Sequence, residues 1–414
     1  MPAVTSLRVS TCTSTTWRGT TQVSTRGRTE MGFLGYRRSD GRVGVRNHVV
    51  VLPSVSCANG VVQGIGREVP GVKILTHTEG CGRGPRDFPM ALRTLVGVAR
   101  HPNVSAALVV GLGCEGLKAE FIAGGAGENA GGVEFIGIQE EGGTPNSIRR
   151  GTEIVREMLD EAGNQSREEA GFHELTLAME CGGSDAFSGL TANPCVGTVA
   201  DWLIGEGGTV ILSEITEFLG TEDILAGRCA TPEVRGRLLG LLGEHRRYVK
   251  QELGPLANMV IAPGNMDGGL SSISEKSLGC IRKGGTSPIR QVVDYAEVPT
   301  EKGLVIMDTP GSDIFSMTGK ISGGAQVLLF TTGRGSPAGS PIAPVVKIAT
   351  NSKLFEHMPD DMDFDAGEVI AGRSIAEVGA DLRDYVIGVA NGAPTKPELT
   401  LTELFAINTV SEPF

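Results

Sequence analysis

Short apolar runs recur along this chain, and each ends abruptly in polar or glycine-rich text. In the first half they span residues 49–52, 72–76, 105–110 and 133–138, and run into Pro53, His77, Gly111 and Gln139. Between them lie stretches with helical spacing, residues 58–67 and 88–100, the latter apolar at Met90, Leu92, Leu95 and Val98. Runs this short are strand length, and strands alternating with helices predict βαβ units and a mostly parallel sheet. The pattern repeats in residues 174–179, 209–212, 304–307, 326–330 and 345–349, with helical text over 196–204 and 222–251. The expected fold is therefore α/β, with two Rossmann-like domains of mostly parallel sheets and glycine-rich loops forming the site between them. The expected boundaries are a disordered tail over 1–33, an N-terminal α/β domain over 34–165 and a C-terminal α/β catalytic domain over 172–414. Residues 164–172 read as a surface linker.

Composition narrows the function. The tail is rich in Ser, Thr and Arg, has no acid before Glu30, and cannot build a core, so Met31 is expected as the native start. A net charge of -11 argues against nucleic acid as a partner, because such binding rests on neutralising phosphates. It leaves room for a small anionic substrate held in a locally basic pocket. No run approaches the roughly 18 apolar residues of a membrane span, and a cytoplasmic location is expected. The 8 cysteines show no close pairing and no secretory signal precedes them, which favours free thiols over a disulfide framework. A homo-oligomer is expected on general grounds.

The most site-like stretch runs from Met179 to Cys195, MECGGSDAFSGLTANPC. It follows an apolar run directly and is too small and polar to pack as core, and a loop at a strand's carboxyl end is where open α/β sheets hold ligands. Residues that line up with it in other strand-end loops are His77, Cys81, Cys114, Glu115 and Cys280. Thiolates and imidazole suit iron or zinc, and carboxylates widen the choice to harder ions. Cys57 and Cys229, with apolar or alanine neighbours, read instead as small packed hydrophobes. The run Gly111, Gly113, Gly116 fits G-x-G-x-x-G after a strand, but Glu115 inside it would set a negative charge beside phosphates. Asp361, Asp363 and Asp365 lack the glycine and closing glutamate positions of a calcium loop and read as a structural turn. Basic candidates for a substrate carboxylate include Arg37, Arg38, Arg46, Lys283, Lys320 and Lys347, with surface solvation expected for about half. Arg42, Lys276 and Arg334 sit in the most ligand-like loops and are the preferred anchors, with Ser184 and Asn193 as further substrate-binding candidates.

The motifs then become recognisable. GYRRSDGRVGVRN from Gly35, HTEGCG from His77, GLGCE from Gly111, ECGGSDAFSGLTANP from Glu180 and EKSLGC from Glu275 resemble the altronate/galactarate dehydratase family. MDTPG from Met307, FTTGRGSP from Phe330 and DDMDFDAG from Asp360 extend the resemblance over essentially everything from Gly35 onward. It implies an iron-dependent lyase acting on a hydroxy acid, with Fe2+ as cofactor, replaceable by Mn2+; from the residues themselves, three thiolates with an open fourth position would also serve an iron–sulfur cluster. It also implies a separate small subunit in place of the N-terminal SAF domain, with (2R)-sulfolactate sulfo-lyase as a close relative. Glu79 stands where the family often has an aromatic, which points toward a different substrate. Within that chemistry the expected metal ligands are Cys114, Cys181 and Cys280. His77 or Glu115 is expected as the base, the other helping the leaving group, with Asp185 orienting a ligand or a substrate hydroxyl. A non-catalytic binding subunit is the competing reading of another class.

Overall fold

The computed structural model describes residues 32–127, 132–259, 261–412 and 414, so the expected tail up to residue 31 lies outside them. The strands of the first half are β1 (Gly32–Arg37), β2 (Val43–Gly44), β3 (His48–Pro53), β4 (Lys73–Ile74), β5 (Val104–Gly111), β6 (Val133–Gly137) and β7 (Glu168–Gly171). Those of the second are β8 (Thr176–Cys181), β9 (Thr209–Leu212), β10 (Ile289–Val293), β11 (Gly303–Met307), β12 (Val327–Thr332), β13 (Val345–Ala349) and β14 (Phe364–Asp365). They form a 3-stranded antiparallel sheet β2-β1-β7, a 4-stranded sheet β4-β3-β5-β6 and a 7-stranded sheet β10-β11-β9-β8-β12-β13-β14. Every pair in the two larger sheets is parallel, as the alternating pattern predicts.

The small sheet accounts for two departures from the sequence reading. Gly32 and Phe33, expected in the tail, open β1, and residues 168–171 of the expected linker form β7 with Phe33 opposite Ala170. Burial drives both: Phe33 is 3% exposed and its ring stacks on Phe172. The glycine-rich tract after residue 262 is not all loop. It holds the helices Pro263–Asp267 and Ile273–Cys280, the second capped by Ser272, whose hydroxyl accepts the Glu275 N–H.

The central strands β5, β9, β11, β12 and β13 are buried along their whole length, which is why they read as mainly apolar runs rather than alternating ones. The two parallel sheets share one hydrophobic layer. Leu52 and Val109 enter it from the first sheet and Ala178, Val305 and Leu328 from the second. Between them lie Leu95 and Val98 of the helix Asp87–Ala99 and Met317 and Ile321 of the helix Asp313–Ser322. These two helices approach so closely at Gly97 that a Cβ there would lie 2.2 Å from the Ser322 carbonyl oxygen. In each parallel sheet the chain winds one way and then the other, giving switch points between β3 and β5 and between β8 and β12. Crevices outside the carboxyl ends of strands at such points are the expected ligand sites.

Candidate active site at the end of β8

Cys181 is the last residue of β8, at the switch point, and leads into the loop singled out in the sequence. A Cβ at Gly182 would fall 2.1 Å from Asp313 Oδ2, so only glycine lets that carboxylate approach the loop backbone. The Cys181 thiol donates to Glu217 Oε2 at 2.9 Å and meets the Cys280 sulfur at 3.5 Å. Ligand atoms of Cys181, Glu217 and Cys280 all lie within 4.8 Å of one another, the single such group among the described residues. Glu217 follows β9 in the 3-10 turn Ile215–Phe218, and Cys280 ends the helix Ile273–Cys280.

Two lysines complete the cluster. Lys276 Nζ reaches Glu217 Oε1 at 2.6 Å, while the fully buried Lys283 Nζ donates to Glu214 Oε2 at 3.0 Å and lies 3.5 Å from Glu217 Oε2. Burial disfavours the Glu217 carboxylate, but Lys276, Lys283 and the Cys181 hydrogen bond outweigh it and hold its pKa down to about 2. Burial likewise acts against the Lys283 charge and is overcome by Cys181, Glu214 and Glu217, so its pKa is raised. The hydrogen bond from Cys181 and then burial push the Cys280 thiol up. Glu214 adopts a left-handed backbone (φ 71°), its N–H donating to Thr309 Oγ1 at 2.9 Å. For a glutamate this conformation is strained and held by its surroundings. Behind it, Lys320 is paired with Glu180, both fully buried. Burial and the neighbouring Glu214 raise the Glu180 pKa well above the ordinary carboxyl value.

Two sulfurs and one carboxylate suit a borderline divalent metal. A divalent ion displacing the two thiol protons would leave the charge of this buried cluster unchanged, so the donor set fits such an ion. Beside the cluster opens a cavity of about 260 Å³ lined by Ser184, Asp185, Asn193, Lys276, Cys280 and Arg282. The Ser184 hydroxyl is 1% exposed and has no hydrogen-bond partner.

Most of the expected site residues of the second half thus converge. Their roles separate on inspection. Asp185 accepts from Ser188 N and Oγ at 2.9 Å and from Thr350 Oγ1 at 3.0 Å, which fastens the loop to the end of β13. Asn193 accepts from Thr331 Oγ1 at 2.7 Å and donates to the Gly279 carbonyl at 3.1 Å, bridging the loop to the helix Ile273–Cys280. Arg334 is exposed, and its backbone N–H bonds the Gly183 carbonyl at 2.9 Å.

The others lie apart from this cluster. Cys114 is exposed after β5, where Gln139 Nε2 contacts its sulfur at 3.5 Å; Glu217, not Cys114, completes the group with Cys181 and Cys280. His77 has both ring nitrogens engaged, Nε2 with the Pro53 carbonyl at 2.9 Å and Nδ1 accepting from Glu79 N at 3.1 Å, and burial lowers its pKa. Glu115 accepts from Ser54 Oγ at 2.7 Å, Gly113 N at 2.6 Å and Leu112 N at 3.2 Å. Burial opposes its charge, yet these bonds hold its pKa below the ordinary value. They also occupy the N–H groups that a nucleotide phosphate would need, which agrees with the sequence argument against that reading. Arg42 pairs with Asp40 (2.6 Å) and lines a cavity of about 390 Å³, larger than the one beside Cys280, with Thr176, Thr209 and Gln326. Those residues mark the amino ends of β8, β9 and β12, opposite to Cys181, so size alone misplaces the site.

Glu214, Glu217 and Asp313 escaped the sequence reading, although SEITE follows β9 in the same relation as the Met179 loop follows β8. Lys283, Lys320 and Lys347, drawn from a group half expected to be solvated, are all 0% exposed. As expected, the aspartates near residue 363 form a structural turn, with Asp363 accepting from Lys347 N (2.8 Å) and Tyr385 Oη (2.9 Å).

Residues 35–163 match the family model for the second domain of D-galactarate dehydratase/altronate hydrolase, and residues 172–411 the one for the C-terminal part of D-galactarate/altronate dehydratase. The chain is 36% identical to altronate dehydratase of Bacillus subtilis, covering 87% of this chain and 74% of that one. It is 37% identical to galactarate dehydratase (L-threo-forming) of Escherichia coli over 87% and 73%. It is 33% identical to (2R)-sulfolactate sulfo-lyase subunit beta of Chromohalobacter salexigens over 88% and 94%. With both halves matched in order and the motif loops gathered at the strand ends, the chain belongs to the D-galactarate/altronate dehydratase family.

Proposed function

We propose that this chain is a hydro-lyase that dehydrates a sugar acid or related 2,3-dihydroxy acid to a 2-keto-3-deoxy acid. The observation that carries the reading is the small cavity beside the Cys181–Glu217–Cys280 group, with the charged side chains of Lys276 and Arg282 on its wall. An ammonium and a guanidinium suit a carboxylate, and the partnerless Ser184 hydroxyl suits a substrate hydroxyl. Cys181, Glu217 and Cys280 are the residues that would hold a divalent iron, which when bound supplies Lewis-acid stabilisation of an ene-diolate.

In this reaction a base removes the proton on C2, the electron pair left behind forms the C2–C3 double bond, and the C3–O bond breaks. The departing oxygen takes a proton and leaves as water, and the enol tautomerises to the keto acid. We assign the first step to Asp313, whose carboxylate abuts the loop that leads from Cys181 to the cavity. The approach is at Gly182, and burial, then the charge of Glu214, push the Asp313 pKa up to about 6, near a working pH. Lys276 holds the substrate carboxylate, where its charge favours the extra negative character that develops as the proton leaves.

A second reading is favoured by one observation. The chain is 33% identical to a relative named (2R)-sulfolactate sulfo-lyase subunit beta, a name that also implies a further subunit. With sulfolactate, loss of the C2 proton would expel sulfite from C3 and leave pyruvate after tautomerisation, and a second, small subunit would be the partner. Iron-loaded, anaerobically prepared chain should be supplied with a panel of aldonates, aldarates and sulfolactate while keto acid and sulfite are measured separately. Keto acid without sulfite supports the dehydratase, sulfite with pyruvate the sulfo-lyase. Binding with neither product, even with a small subunit added, would leave a non-catalytic binding role and sink both.

A further inference from the structure

Two free thiols touch inside the cluster at the end of β8. The Cys181 and Cys280 sulfurs are 3.5 Å apart, although the residues are separated by 99 positions in the sequence. A disulfide has an S–S bond of about 2.05 Å, so joining them asks for a closure of about 1.5 Å. Cys181 ends β8 and Cys280 ends the helix Ile273–Cys280, so both sit where the chain leaves a regular element, and side-chain rotation with a small shift supplies that distance. Charge does not oppose the step. Two thiols and one disulfide are equally neutral, and Glu217 gives up the Cys181 hydrogen bond while keeping Lys276 at 2.6 Å and Lys283 at 3.5 Å. Access separates the two sulfurs. Both residues are buried, but Cys280 lines the cavity of about 260 Å³ and Cys181 stands behind it, so a small oxidant in that cavity meets Cys280 first. Cys57, Cys81 and Cys114 are instead free and exposed. The expectation that Cys57 is a packed hydrophobe fails, since its turn, Ser56–Ala58, buries Ala58 and leaves the cysteine exposed.

We propose that Cys181 and Cys280 form an oxidative modification site, in which a hydroperoxide closes the metal-free pair into a disulfide and a thiol reductant reopens it. The Cys280 sulfur attacks one peroxide oxygen, the O–O bond breaks, and the departing oxygen takes the thiol proton and leaves as water or, from an organic hydroperoxide, as an alcohol. This makes Cys280 a sulfenic acid. The Cys181 sulfur, already in contact, then attacks the Cys280 sulfur. The S–S bond forms, the S–O bond breaks, and the hydroxide leaves with the Cys181 proton as water. Two thiols are thereby oxidised by two electrons and one hydroperoxide is reduced. The disulfide takes away two of the three donors of the Cys181–Glu217–Cys280 group, so a lone Glu217 would remain where an ion could bind. That consequence rests on the proposed metal site, whereas the disulfide rests on the sulfur contact and the cavity alone.

The full chain, stripped of metal with a chelator and reduced, should be treated with hydrogen peroxide, alkylated under denaturing conditions, digested without reductant and read by mass spectrometry. A peptide pair joining Cys181 to Cys280, abolished by dithiothreitol, is expected in the parent and in a Cys57→Ser, Cys81→Ser, Cys114→Ser triple variant that silences the exposed thiols. In Cys181→Ser, with folding checked by circular dichroism, Cys280 has no resolving thiol and should run on to the sulfinic acid. The proposal is overturned if no such pair forms while the exposed cysteines of the parent oxidise. It is overturned equally if Cys280 reaches the sulfinic acid in the parent with Cys181 still a free thiol. Zinc, which has no redox chemistry of its own, tests the consequence in the triple variant. Zinc retained after desalting should fall to background on peroxide treatment and return with dithiothreitol, and zinc bound beforehand should suppress the cross-link. A cross-link that forms with zinc uptake unchanged counts against the metal site and leaves the disulfide standing, whereas zinc uptake with no cross-link does the reverse.

Discussion

The buried charges around Glu217 make a sharp case for perturbation at Lys283→Met. The lysine is 0% exposed, bonds Glu214 at 3.0 Å and lies 3.5 Å from Glu217, which is itself 3% exposed. Lys276, Lys283 and the Cys181 bond together carry the Glu217 pKa from 4.5 to about 2 against burial. At about 1.4 kcal/mol per pH unit, this depression is worth about 3 kcal/mol of folding stability above the unfolded pKa, lost as pH falls toward the folded value. Methionine keeps the length of the side chain but strands Glu214 without its cation, and breaking a buried pair from one side costs about 3–5 kcal/mol. The variant should therefore lose about that much in urea unfolding near neutral pH, followed by circular dichroism. The Glu214 carboxylate, buried without its cation, would resist ionisation in the folded variant, so its stability should rise as pH is lowered toward the unfolded value, where the parent is flat or falling. A loss below about 1 kcal/mol, or parallel pH profiles for parent and variant, would refute the electrostatic account of the cluster.

Asp313→Asn should reduce kcat by at least about 100-fold, the usual contribution of a general base. It should also erase an ascending limb near pH 6 in kcat/KM, since the base must be ionised; an unchanged limb assigns the base elsewhere. His101 is 1% exposed, its Nε2 lies 3.1 Å from the Ala325 carbonyl, and burial lowers its pKa to about 3. Because the unfolded chain takes up that proton below about 6.5 and the folded one does not, His101 should cost about 1.4 kcal/mol of stability per pH unit of acidification. His101→Gln should flatten the stability profile between about pH 6.5 and 5 by that slope.

By itself the sequence determined the architecture. Runs such as residues 304–307 are apolar along their whole length because both faces of a parallel strand are covered, and that signal is local and additive. It also marked the Met179–Cys195 loop, because small polar residues directly after a buried strand have no packing use. What the tertiary structure alone decided was which loops meet. Glu217 and Cys280 lie 36 and 99 residues from Cys181, and only the order β9-β8-β12 and the helix Ile273–Cys280 bring them to one sulfur. The same holds for charge. Lys283, Lys320 and Lys347 look like solvated lysines in the sequence, because burial of a cation depends on a carboxylate, carbonyl or aromatic face arriving from elsewhere in the chain. Glu214, Ala338 and Phe330 are such partners, and none lies within a few residues of the lysine it holds. Local composition fixes where a strand begins and ends, whereas a buried polar cluster is a property of strand order, which no single stretch of residues encodes.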